Sequence, residues 1–218
     1  MIKAVIFDFD GLILDTESNE YYAHSEMFRQ LGVELPIQEW GKCIGTDASG
    51  FDVFAYLEQL TGHPVDRVKL DSARHDLFIK RMSEEQVRPG VRDYLLSAQA
   101  LGLKIGLASS SSRAWITEYL ATHELTDFFE TIRTKDDVAI VKPNPELYQL
   151  ALADLGVLPS EAIAFEDSPN GSLAAKRAGM YCVIVPNSVT DSLIFGEVDL
   201  RIHSMLEMSL AEIIRHFN

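Results

Sequence analysis

Residues 4–17 read AVIFDFDGLILDTE, and the reading of this stretch decides the fold. Four apolar residues, Ala4 to Phe7, run unbroken into Asp8, Phe9, Asp10 and Gly11. A short continuous apolar run suits a strand buried on both faces, as in a parallel sheet covered by helices. Side chains two apart in an extended strand share a side. Asp8 and Asp10 therefore set out together before Gly11 allows a sharp turn. Ligands of open α/β sheets bind beyond the carboxyl ends of the strands, which is where both carboxylates fall. Two like charges placed there call for a physical reason.

The same apolar texture returns in LKIGLAS from Leu103, AIAFED from Ala162 and YCVIV from Tyr181. Helical spacing lies between these runs. Val91, Leu95 and Ala98 keep it before Gly102, and Leu147, Leu150, Ala151 and Leu155 keep it before Gly156. Glycine just past a periodic segment is a common helix stop. The alternation predicts an α/β fold, a Rossmann-like three-layer core with a parallel sheet between helices.

From about Thr16 to Gln86 the rhythm breaks. Tyr21, His24, Phe28 and Leu31 fit one helical face, Val53, Leu57 and Leu60 fit another, and Val65 to Met82 is charged and helix-friendly. The expected organisation is an α-helical cap domain over 16–86, inserted into a discontinuous core of 1–15 and 87–218. Leu206, Leu210, Ile213 and Ile214 predict an amphipathic closing helix.

The chain has 218 residues, 47% of them hydrophobic, and a net charge of −14 from 33 acidic against 19 basic side chains. Such a field repels nucleic acid and anionic membranes, so neither is an expected partner. It also repels a phosphorylated substrate unless a cation intervenes. Cys43 and Cys182 show no metal-site spacing and read as reduced thiols. No apolar run approaches a membrane span, and the N-terminus reads as a strand rather than a signal peptide. A cytoplasmic monomer is the expectation. The six histidines form no metal-spaced set, and Trp40 and Trp115 read as packing anchors.

A lone aspartate at a strand end commonly caps nearby backbone amides. Three other predicted strand ends shift the balance. Ser109 closes LKIGLAS and precedes Ser110, Ser111 and Ser112; hydroxyls and free amides at a helix start bind anions, although alone they read as an N-cap. Lys142 sits in IVKPNPE, where Pro143 favours extended geometry before a helix capped by Asn144 with Pro145 first in it. An isolated lysine there is ordinarily a solvated one. Glu166 and Asp167 end AIAFED before Ser168 and Pro169, and acidic groups also suit a helix N-terminus for its dipole alone. Taken together, the loops place two aspartates, a hydroxyl, a lysine and an acidic pair along one sheet edge. Converging carboxylates are costly without a cation, and an all-oxygen set suits Mg²⁺. The cation also answers the question raised by Asp8 and Asp10, since it offsets their repulsion and attracts phosphate.

These motifs, DFDG with LDTE, LASSS, VKPNPE and FEDSPNG, make the chain resemble the haloacid dehalogenase-like superfamily. It looks closest to the branch of β-phosphoglucomutase-like phosphatases with a helical cap. The resemblance spans essentially the whole chain and implies a Mg²⁺-dependent phosphatase acting on a small phosphorylated metabolite. It makes Asp8 the nucleophile, Asp10 the general acid and base, and Lys142 the neutralising cation. The implied metal ligands are Asp8, the backbone carbonyl of Asp10, Asp167 and Glu166, the last directly or through water. Gly11, Ser109, Ser110 and Lys142 would hold the phosphoryl group, with Glu17 and Glu20 toward the leaving group.

The pattern departs from the mutase proper at two places. Glu20 stands where the mutase has a histidine, and GTDASG lacks the mutase's cap arginine, while Arg74 could replace a cap lysine. These differences favour hydrolysis over phosphomutase action. Phosphonate cleavage would need a desolvated cap lysine, which neither Lys42, Lys69 nor Lys80 is marked to be. A non-catalytic phosphate sensor is the alternative from another class.

Overall fold

The computed structural model describes residues 1–41, 44 and 51–217. Cys43, Lys42 and the GTDASG segment, on which three of the expectations above fall, lie outside the described residues. The order of the six-stranded sheet is β3-β2-β1-β4-β5-β6, with every pairing parallel. These strands are β1 (Ala4–Phe7), β2 (Lys104–Ala108), β3 (Thr131–Arg133), β4 (Ala162–Glu166), β5 (Tyr181–Ile184) and β6 (Leu200–Arg201). β1 is central and wholly buried, as its unbroken apolar run requires.

The two faces of β1 feed two separate cores, because successive side chains point opposite ways. Val5 and Phe7 pack with Val91, Tyr94 and Leu95 of α5 (Val91–Ala100), Ile116 and Leu120 of α6 (Arg113–Thr122), and Leu210 and Ile213 of α9 (Leu210–Phe217). Ala4 and Ile6 pack instead with Leu147, Tyr148 and Leu155 of α7 (Glu146–Leu155) and with Ala174 and Ala175 of α8 (Pro169–Arg177). The result is the three-layer α/β arrangement the alternation predicts.

Among the described residues, four helices lie between β1 and α5: α1 (Thr16–Gln30), α2 (Ile37–Trp40), α3 (Val53–Thr61) and α4 (Arg67–Met82). They have a core of their own, in which Met27, Phe28, Leu35, Trp40, Ile44 and Leu57 meet Val189 from the loop after β5. Asp15 caps α1, accepting from Ser18 N at 3.1 Å, and Asp52 caps α3 by accepting from Phe54 N and Ala55 N.

Several local expectations shift. The α7 helix begins one residue later than the Asn144–Pro145 reading, with Pro145 as its cap. Asn144 still serves the helix start, since its Oδ1 accepts from Glu146 N at 2.9 Å. Leu31 caps α1 and is exposed, and Leu206 lies before α9 with its side chain in solvent. The short edge strands β3 and β6 carry no apolar run to announce them. Among the described residues, no helix is long and apolar enough to cross a membrane.

Candidate active site

The candidate groups other than Glu17 and Glu20 gather at the carboxyl edge of the sheet. Asp8 follows β1, Ser109 follows β2, Glu166 ends β4 with Asp167 next, and Lys142 comes from the loop before α7. All of these but the enclosed Glu166 line a cavity of about 700 Å³. Asp8, Asp10, Ser109, Ser110, Lys142 and Asp167 form its floor, and Glu17 and Glu20 of α1 line it from the helical block.

Lys142 is buried and holds two carboxylates at once. Its Nζ donates to Asp8 Oδ1 and to Glu166 Oε1, each at 2.7 Å. Burial works against its charge, but Asp8 and Glu166 overcome that, and its pKa is raised. Glu166 is fully enclosed. Its Oε1 also accepts from Tyr148 Oη at 2.6 Å, and its Oε2 accepts from Asp167 N at 3.2 Å. The close approach of α8 makes this possible: a Cβ on Gly171 would sit 2.0 Å from the Glu166 carboxyl group.

The carboxylates carry the strain of burial. Asp8 is pushed up to about 7, chiefly by desolvation and next by Glu166, against the opposing pull of Lys142. Asp167 is raised well above the usual carboxylate range by burial, then by Asp8 and Glu166. Glu17 is pushed up to about 8 by burial and by Asp10 and Glu20. One oxygen from each of Asp8, Glu166 and Asp167 lies within 4.8 Å of the others. Buried anions destabilised by one another, presenting only oxygen, form a donor set that fits a hard divalent cation.

Asp10 is positioned differently. Its Oδ2 accepts from Ser109 Oγ at 3.2 Å and its Oδ1 from Trp115 Nε1 at 3.0 Å. Its side chain thus stands apart from the acidic triad. Ser109 Oγ in turn accepts from Ser111 N at 3.0 Å, and Ser112 caps α6.

Gly11 contributes backbone rather than cavity wall. Its φ is +80°, and a Cβ there would lie 2.1 Å from Asp167 Oδ2. Its carbonyl accepts from Arg88 Nη1 and, at 3.3 Å, from Asn187 Nδ2. Asn187 Nδ2 also donates to Asp167 Oδ2 at 2.8 Å. Arg88, Asn187, Tyr148 and the Trp115 indole N–H are the groups the sequence reading missed. Tyr148 and Trp115 sit at helical spacing that reads as packing, and Arg88 and Asn187 belong to loops without periodicity.

Glu20 is engaged by Arg74, whose Nη1 donates to Glu20 Oε1 at 2.6 Å while Nη2 donates to Asp71 Oδ1 at 2.9 Å. Lys69 and Lys80 are exposed and off the cavity wall. Two buried groups on that wall, Thr16 Oγ1 and Trp40 Nε1, have no hydrogen-bond partner among the described residues.

A doubly wound parallel sheet with an acidic, lysine-bound centre at its carboxyl edge defines the class as a Rossmann-like α/β fold with a helical insertion. The family described as haloacid dehalogenase-like hydrolase matches residues 5–185. YhcW of Bacillus subtilis (strain 168), whose name assigns it provisionally as a phosphatase, is 56% identical over 218 residues, covering 100% of this chain and 99% of that protein. The phosphorylated carbohydrates phosphatase of Thermotoga maritima is 32% identical and covers 82% of each chain. Among solved structures, a mutant of CbbY from Rhodobacter sphaeroides in complex with xylulose-(1,5)bisphosphate superposes with a TM-score of 0.74. It is 30% identical and covers 97% of this chain and 98% of its own. The chain belongs to the haloacid dehalogenase-like hydrolases.

Proposed function

We propose that this chain is a Mg²⁺-dependent phosphatase that hydrolyses a small phosphate monoester, a sugar phosphate or a similar metabolite, through an aspartyl phosphate. The observation that carries the reading is Asp8, a buried carboxylate at the end of the central strand, salt-bridged to Lys142 at 2.7 Å beside the separately held Asp10. A carboxylate oxygen of Asp8 attacks phosphorus, and the bond from phosphorus to the ester oxygen breaks. Asp10 gives its proton to that leaving oxygen. It then takes a proton from water, whose oxygen attacks the phosphoryl group and returns Asp8 to its carboxylate. Lys142 neutralises charge between nucleophile and phosphoryl group, and Ser109 and Ser110 would receive phosphoryl oxygens.

Asp8, Asp167, the Asp10 carbonyl and Glu166, directly or through water, would hold the metal. When bound it supplies the positive charge that lets this acidic chain accept a phosphate dianion. Residues 16–86 would act as a cap that excludes water and reads the leaving group. The Thr16 hydroxyl and Trp40 N–H on the cavity wall, without a partner among the described residues, favour a leaving group rich in hydroxyls. The names of the Thermotoga and CbbY relatives support phosphorylated sugars.

Phosphomutase action is the second reading, and Arg74 weighs against it. A mutase must hold a second phosphate in the cap, yet Arg74 is already bound by Glu20 and Asp71. The exposure of Lys69 and Lys80 weighs likewise against a Schiff base for phosphonate cleavage.

The test is release of inorganic phosphate from p-nitrophenyl phosphate and a panel of sugar phosphates with Mg²⁺. Asp8→Asn is expected to lower turnover by at least about a thousandfold with the fold intact, as expected for loss of the attacking group. An active Asp8→Asn enzyme refutes the nucleophile assignment, and silence across the panel favours a sensor.

A further inference from the structure

Trp115 joins the helical block to the group that moves protons. It sits in the first turn of α6, where its backbone N–H donates to Ser112 Oγ at 3.3 Å. Its indole Nε1 donates to Asp10 Oδ1 at 3.0 Å. The Tyr119 ring, one turn further along α6, contacts it with centroids 4.4 Å apart. The ring of Phe78, from α4 of the helical block, stacks on it at 5.8 Å with planes 19° apart. Trp115 and Phe78 both line the cavity. A residue with its backbone capped, its ring packed between helices and its single donor aimed at a carboxylate has little freedom left.

We infer that Trp115 is the positioning residue for Asp10, and that Phe78 brings the helical block to bear on it. The inference rests on the reading of Asp10 as general acid and base. An indole N–H donates and cannot accept, so Oδ1 is kept as the acceptor oxygen. Ser109 Oγ donates to the other oxygen, Oδ2, so the carboxylate is held from both ends. Phe78 stacks on the indole from the helical block, so the seating of that block against the core holds this orientation.

The two contacts can be separated by leaving-group chemistry. Phenyl phosphate and p-nitrophenyl phosphate present the same aryl ester to Asp8 and differ by a para nitro group, and only the phenolate of the first needs a proton to depart well. The kcat/KM value reports the steps up to the first irreversible transfer, here the one to Asp8. Trp115→Phe keeps a ring for Phe78 and removes the donor. It is expected to lower kcat/KM for phenyl phosphate about tenfold, a fraction of what a positioned acid contributes, and that for p-nitrophenyl phosphate less than about twofold. Phe78→Ala leaves the indole donor but frees its ring, and should show the same leaving-group bias, about threefold.

Equal losses on both esters, or no loss on either, overturn the inference. Phe78→Ala decides the matter should Trp115→Phe fold poorly. Asp10→Asn, run alongside, separates the failures. If it shows the phenyl phosphate bias while Trp115→Phe shows none, only the role of Trp115 falls. If it shows no bias, the reading of Asp10 as acid and base falls as well.

Discussion

Lys142 holds the site together electrostatically. Its ammonium lies between Asp8 and Glu166, all three nearly or fully buried. Removing one partner of a buried ion pair leaves uncompensated charge and typically costs about 3–5 kcal/mol. Lys142→Met keeps the aliphatic stem and is expected to lose stability on that scale in urea unfolding, along with activity. A loss below about 1 kcal/mol, the range of exposed pairs, would show that the carboxylates find other relief. The candidate acidic pairs and the lysine were legible because each ends an apolar run or directly precedes a proline that stiffens its loop. Glu166's partners were not, since the hydroxyl of Tyr148 reads in sequence as one more core position of α7.

The α1 helix shows what an element adds. Its N-terminal turns bring Thr16, Glu17 and Glu20 to the cavity, while Met27 and Phe28 enter the separate helical core. His24 lies between these roles, against Trp40 with centroids 4.6 Å apart and with Nδ1 3.0 Å from the Glu20 carbonyl, to which it donates. Burial pushes the His24 pKa down to about 4, with Arg74 adding to the shift and the Glu20 carbonyl and Asp71 opposing it. The unfolded chain therefore takes up a proton here that the folded chain refuses. Stability is intact above pH 6.5 and falls as the pH drops toward 4, by on the order of 3 kcal/mol from this group. Urea titrations at pH 7 and 4.5 should show a smaller pH dependence in His24→Gln than in the parent chain. Identical dependence in the two would contradict the shift. The helical face of Tyr21, His24 and Phe28 was readable from spacing. Leu31 was not, because the helix ends at Gln30 and its side chain turns into solvent.

At the scale of the molecule, the fold gathers acidic groups from the ends of β1 and β4, far apart in sequence, into one buried cluster. The cost of that convergence is what a cation would relieve. A ligand that binds only the folded state stabilises it by mass action, about 2.7 kcal/mol at a hundred times its dissociation constant. Mg²⁺ is expected to raise the thermal midpoint of the parent chain, and EDTA to reverse the rise. Asp167→Asn should abolish the response while remaining folded. A midpoint that Mg²⁺ leaves unmoved would count against the metal site.

The sequence by itself determined the alternation of buried strands and helices, the helical stretch after β1, and which strand ends carry charge. Those features are local, written in apolar runs, in helical spacing and in the residues that begin and end helices. Only the tertiary structure decided that Arg88 and Asn187 brace Gly11, that Arg74 occupies Glu20, and that Trp115 reaches Asp10. Each of these joins residues at least 50 positions apart through one hydrogen bond or a few. Such contacts depend on where whole elements come to rest, and they leave no period or spacing along the chain.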